Sequence, residues 1–127
     1  MLFRSDIEGL DTFYRKGMQM VTNDKAVRAF DIGKEDPKLR EKYGRNDLGQ
    51  SCLLARRLVE AGVTFVTIQA GGGWDTHKDN FKELKNVTLP RYDRAIAALV
   101  SDIYERGLDE RVLVMAFGEF EIGRAHV

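Results

Sequence analysis

Apolar residues recur every three to four positions along most of this chain and run as short extended stretches at only two places. Ser5 or Asp6 can cap a first helix through about Val21, with Ile7, Leu10, Phe13, Tyr14 and Met18 as its apolar stripe. Asn23 or Asp24 can cap a short helix reaching Phe30, which Asp31-Ile32-Gly33 breaks. Asp36-Pro37 starts another short helix, with proline at the first position, where its missing N–H is no loss. Tyr43-Gly44-Arg45-Asn46 reads as a turn. A longer helix from about Asp47 to Ala61 carries Leu48, Cys52, Leu54, Leu58 and Val59, and Gly62 is placed to stop it. His77 to Lys85 reads as helical, interrupted near Pro90; Tyr92, Ile96, Leu99, Val100, Ile103 and Tyr104 then outline an amphipathic helix ended by Gly107.

The two extended stretches carry the fold-class expectation. Residues 63–69, Val-Thr-Phe-Val-Thr-Ile-Gln, half alternate and are rich in β-branched side chains. Residues 111–117, Arg-Val-Leu-Val-Met-Ala-Phe, are apolar on both faces, as a central parallel strand covered by helices would be. With the helix between them they predict an α/β domain containing a right-handed βαβ unit. A sheet of two strands would expose both edges. Residues 1–120 are therefore expected to be an incomplete domain, poorly soluble in isolation.

Composition excludes more than it assigns. Twenty basic and twenty acidic side chains cancel over 127 residues, so no general nucleic-acid or anionic-membrane footprint is present. No apolar run approaches the roughly 20 residues of a membrane span. The single cysteine, Cys52, cannot form an internal disulfide; its place in an apolar helical run predicts a buried, inert thiol.

Candidate chemistry gathers after the first extended stretch. The run Gly71-Gly72-Gly73-Trp74-Asp75-Thr76-His77 sets a carboxylate and an imidazole two residues apart, where extended backbone points both side chains the same way. Those donors suit a divalent metal (zinc, manganese, magnesium or calcium), and the glycines allow a sharp turn. Taken by themselves, the residues read first as an N-cap of the following helix at Asp75, with His77 in its first turn. Glu119, after the second stretch, is a candidate supporting site residue or else a solvated residue opening the next helix. Trp74 reads as a packing anchor or pocket wall. Arg56 and Arg57 read as an exposed helix face, and Arg45 as a salt-bridge partner. The glycine loop lacks the Gly-x-Gly-x-x-Gly spacing of a dinucleotide fold.

The last seven residues, Glu121-Ile122-Gly123-Arg124-Ala125-His126-Val127, can be encoded by a string that matches a common short-read sequencing adapter from its second base. Residues 121–127 are accordingly read as a non-native tail, with a genuine polar tail as the alternative; on the first reading His126 is no ligand.

Taken together, Glu35-Asp36-Pro37, Tyr43-Gly44-Arg45, Gly49-Gln50-Ser51, the run Leu53 to Val63, Gly73-Trp74-Asp75-Thr76-His77 and Gly118-Glu119-Phe120 resemble a bacterial sulfatase-like family of unknown function, DUF1501, of the alkaline phosphatase superfamily. The resemblance covers nearly all of residues 5–120. It implies a three-layer α/β/α sandwich and hydrolysis of phosphate or sulfate esters, small-molecule or polysaccharide, at a divalent-metal site held in part by Asp75 and His77. It also implies export of the full-length protein. The family's Gly-Glu-Phe continues as Gly-Arg-Thr-Pro, followed by an Asp-His pair, whereas here Glu121-Ile122 follow Phe120. With that pair and the upstream nucleophile missing, the chain is expected to be inactive by itself. The alternative is a non-catalytic exported binding protein that keeps the fold.

Overall fold

A computed structural model describes residues 14, 15, 17, 24–71, 74 and 76–118. Helices α1 (Asp24–Phe30), α2 (Pro37–Tyr43) and α3 (Asp47–Glu60) follow one another, with a 3-10 turn at Ile32–Lys34. After an irregular passage, α4 (Asn80–Glu83), a π-helical segment (Leu84–Thr88) and α5 (Leu89–Glu105) form one continuous helical run. Tyr14, Arg15 and Gly17 are helical; the rest of the expected first helix lies outside the described residues, as does the tail at 121–127.

Local chemistry accounts for these boundaries. The Asp36 side chain accepts from the Lys38 N–H with Pro37 at the first helical position, and Asn46 accepts from the Gly49 N–H at the start of α3. Both long helices end in a Schellman motif. Gly62 N–H donates to the Val59 carbonyl and Val63 N–H to Leu58; Gly107 and Leu108 repeat the pattern with Tyr104 and Ile103. Each motif needs a left-handed residue at its corner, and Gly62 and Gly107 supply φ of 99° and 63°. Pro90 interrupts the long run less than expected. It cannot donate to the Asn86 carbonyl and its ring would crowd it, and the preceding turn widens to a π-helix instead of breaking.

The seven-residue helices α1 and α2 are too short to be stable alone, so their C-terminal carbonyls take donors from the longer helices. Arg57 of α3 donates to the carbonyls of Arg28, Ala29 and Asp31 at the end of α1. Arg94 of α5 donates to the Glu41 and Lys42 carbonyls of α2. Gln50 donates to the Arg40 and Gly44 carbonyls while accepting from Arg40 Nε. Between α2, α3 and α5 lies a core of Tyr43, Cys52, Leu53, Ala95, Ala98, Leu99, Ile103 and Leu108. Cys52 is 1% exposed, and burial pushes its thiol up to about 11, the inert state expected.

The α/β expectation is overturned. Helix accounts for 63% of the interpretable chain, and among the described residues there is neither a strand nor a sheet. Residues 63–69 and 111–117 are irregular, so the βαβ unit and the three-layer sandwich are absent there. High β-propensity marks a side chain that fits a pleated, half-buried surface; it does not supply the ladder partner a strand requires. Ile68 and Val112 pack against the helical core instead, while Phe65, Leu113 and Phe117 are 77%, 80% and 89% exposed.

A second correction concerns Arg56, expected on an exposed face: it is 4% exposed. Its Nη2 lies 2.7 Å from Glu35, its Nη1 2.5 Å from Glu60, and its Nε 2.9 Å from Asp102 Oδ2 in an ion pair without hydrogen-bond alignment. Tyr43 Oη and Arg106 Nε also donate to Asp102, at 2.9 and 2.8 Å. Burial opposes the Arg56 charge, but Glu60, Glu35 and Asp102 outweigh it and hold the guanidinium protonated. Burial and the Asp102 hydrogen bond raise the Tyr43 phenol well above its usual range.

Removing Arg56 takes one of two cations from Asp102, whose side chain is 4% exposed, and one of two from Glu35, leaving Arg106 and Arg57. We predict that Arg56→Ala lowers stability by about 3–5 kcal/mol in urea unfolding; a loss below about 1 kcal/mol would show that the cluster is not structurally needed. Glu35 gives a pH signature. Burial raises its carboxyl, but hydrogen bonds from Arg56 and Arg57 prevail and hold it at about 2 against 4.5 for the free group. Its folded value is depressed, so its contribution is complete above 4.5 and fades as pH falls towards 2. The expected result is a melting temperature that drops less steeply over that interval in Glu35→Gln than in the unaltered protein.

Candidate metal-binding loop

The loop expected to carry the chemistry lies between the end of α3 and the start of α4. Gly71 adopts φ 79°, the left-handed turn anticipated for the glycine run. Gly72, Gly73 and Asp75 lie outside the described residues, as does Glu119. Trp74 is half-buried and meets Tyr92 of α5 edge to face, with ring centroids 5.4 Å apart and planes at 88°. That geometry sets the positive edge of one ring against the negative face of the other. Thr76 Oγ1 donates to Asn80 Oδ1 at 2.5 Å. His77 is exposed.

Helix α4 starts later than the N-cap reading of Asp75 requires. It begins at Asn80 with Asp79 as its N-cap residue, and no side-chain cap bond is made there. An N-cap precedes the first helical residue, and Asp75 stands five positions before Asn80, so it does not cap this helix. His77 likewise precedes the helix and is not in its first turn. Asp79 itself has φ 52° and ψ 36°, the left-handed region that aspartate enters more readily than most side chains.

Among the described residues, no group of three histidine, cysteine, aspartate or glutamate side chains is arranged to hold a metal. Asp75 and Glu119, two of the three candidates, are not among them.

Two clefts lie elsewhere. One, of about 300 Å³, is lined by Lys25, Arg28, Arg56, Arg57 and Glu60 between α1 and α3. Its cationic look misleads. Arg56 is committed to three carboxylates, and Arg57 to three carbonyls and Glu35. These guanidiniums hold the fold together and are no phosphate clamp. The other, of about 610 Å³, runs between α3 and residues 66–69 and is mostly apolar. Neither includes Trp74 or His77. Arg45 pairs with Glu41 at 3.5 Å, the structural role expected of it. No helix of the described residues is long and apolar enough to cross a membrane.

Sequence reasoning missed Tyr92 as a partner of the loop. It belongs to the apolar stripe of α5, and the stripe's pattern does not reveal that one member faces Trp74. The left-handed Asp79 yields a test of the α4 start. Asp79→Val, unable to adopt φ 52° cheaply, should lower amide protection at Glu83 and Leu84, the first amides bonded in α4, by about 5- to 30-fold in hydrogen exchange, and Asp79→Gly should not.

No curated protein and no solved structure matches the chain. A family model does, over residues 3–126, that of a protein of unknown function. On that match the chain belongs to the DUF1501 family.

Proposed function

We propose that this chain belongs to a metal-dependent hydrolase of phosphate or sulfate esters, a sulfatase-like member of the alkaline phosphatase superfamily, and that residues 71–77 are part of its metal-binding loop. The observation that supports the reading is the start of α4 at Asn80 with Asp79 as its N-cap residue, so that neither sequence position 75 nor 77 is the cap of that helix. The Gly-Trp-Asp-Thr-His and Gly-Glu-Phe motifs of the sulfatase-like resemblance support the same assignment.

A bound divalent ion supplies a Lewis acid for the ester oxygen and lowers the pKa of a coordinated water. The chain's part is to present the donors. Asp75 offers an anionic oxygen and His77 a neutral ring nitrogen from backbone two residues apart. Gly71 turns the chain into the loop, and Trp74 walls one side of it against α5. Glu119 is assigned to support or orient a ligand. Export of the full-length protein belongs to the same proposal.

Metal uptake tests it. In equilibrium dialysis against Zn²⁺ and Mn²⁺, the chain should retain metal, and Asp75→Ala and His77→Ala should each weaken retention by at least about tenfold. Metal content unchanged in both variants would refute the assignment. Metal uptake by a full-length relative without turnover of 4-nitrophenyl phosphate or sulfate would favour the non-catalytic binding protein.

A further inference from the structure

The passage Val112 to Gly118 follows α5, is irregular, and holds neither a charge nor a proline. Val112 packs against the helical core and Val114 is 36% exposed, whereas Leu113, Met115 and Phe117 are 80%, 63% and 89% exposed. Exposure that alternates with a period of two marks extended backbone, whose successive side chains point to opposite faces. Among the described residues, no backbone hydrogen bond reaches residues 113–118. One face of the passage is thus settled on the helices, while its other face and its main chain are open. Water satisfies open N–H and C=O groups but does not cover three large apolar side chains beside them. An occupant that covers both is itself an extended strand.

We propose that residues 112–118 are a self-association surface, pairing antiparallel with the same residues of a second copy of this chain about a two-fold axis at Met115. The sequence is near-symmetric in side-chain size about that residue. Setting Leu113 opposite Phe117, Val114 opposite Ala116 and Met115 opposite itself places large against large and small against small. Such pairing is isologous and is satisfied by two copies. Charge favours it over in-register parallel pairing, which would set Glu110 against Glu110 and Arg111 against Arg111. At longer range nothing repels a second copy, since twenty basic and twenty acidic side chains cancel. The β-branched and apolar side chains here then meet the ladder partner that one chain does not supply. Three large side chains and their backbone from each copy bury on the order of 1,000 Å² in all, the lower limit of a specific interface, so the dimer is weak.

The test uses the full 127-residue chain. Sedimentation equilibrium should show a reversible monomer–dimer equilibrium. Met115→Lys, which sets like charges opposite each other at the axis, should raise the dissociation constant at least about tenfold with the helical circular dichroism retained. Phe65→Lys, at a residue 77% exposed on the other irregular passage, should leave the dimer intact. Cross-linking reads the register, and buried, inert Cys52 stays in place. Directly opposed residues of an antiparallel pair have Cα atoms about 4.5–5.5 Å apart, within disulfide range. With diamide as oxidant, Met115→Cys should therefore link to a second copy of itself, and Leu113→Cys to Phe117→Cys but not to itself. These cysteine variants decide the question if Met115→Lys does not fold. A chain that is monomeric at every concentration overturns the proposal, as does a dimer that Met115→Lys leaves intact or that Phe65→Lys dissolves. Met115→Cys that forms no disulfide, or Leu113→Cys that links to itself, overturns the antiparallel pairing.

Discussion

Arg56 is the point through which α3, α5 and the segment before α2 are held in one arrangement. Desolvating a guanidinium costs several kcal/mol, and the cost is met only when all its carboxylate partners are in place at once. Those partners come from three parts of the chain: Glu35 before α2, Glu60 at the end of α3 and Asp102 on α5. Asp102 in turn receives Tyr43 from the end of α2 and Arg106 from beyond α5. Apolar contacts between helices tolerate sliding, since one leucine can replace another against a smooth face. A planar fork that must meet three carboxylates does not. The cluster therefore selects this packing over neighbouring registers, at a cost in stability that a purely apolar core would not carry.

The same constraint extends to the loop. Asp102 fixes α5 along its length, because a helix moves as a rigid body over a few turns. Tyr92 lies ten residues before Asp102 on that helix, and through it Trp74 is referred to the core. The continuous run through the π-helical segment then brings Asn80 back to Thr76. A π turn ahead of Pro90 matters here, since a broken helix would uncouple Asn80 from Tyr92 and leave the loop with one anchor instead of two.

Much of this was legible in the sequence, and the failures have identifiable causes. Helix boundaries marked by local chemistry came through: Asp36-Pro37 opens α2, α3 starts at Asp47 after the Tyr43–Asn46 turn, and Gly62 and Gly107 close the long helices. These signals involve residues at most a few positions apart. The two expected strands failed because strand formation depends on a partner that propensity cannot name, and Ile68 and Val112 found the helical core instead. Arg56 was misread because two adjacent arginines look like a solvated face. The correcting signal was present: Arg56 stands four residues after Cys52, and Asp102 falls beside Ile103 in the α5 stripe. Charges of opposite sign in register with two apolar stripes mark a buried pair. The family was also legible, from motifs spread over the chain, and the family match extends from residue 3 to residue 126.

On the proposed reading Asp75 and His77 are two donors, and two donors from one loop hold a cation weakly unless the loop is ordered before the cation arrives. Ordering backbone costs about 1–2 kcal/mol per residue, so a glycine-led loop of seven residues left free would cancel much of what two ligand bonds provide. Trp74 against Tyr92 and Thr76 against Asn80 place a restraint on either side of Asp75, and both restraints end on the same helical run. The glycines and the anchors are then complementary. Gly71, at φ 79°, turns the chain out of the segment after α3, and the contacts of Trp74 and Thr76 limit where it can go. A loop built only to connect α3 to α4 needs the turn at Gly71 and not the anchors at Trp74 and Thr76.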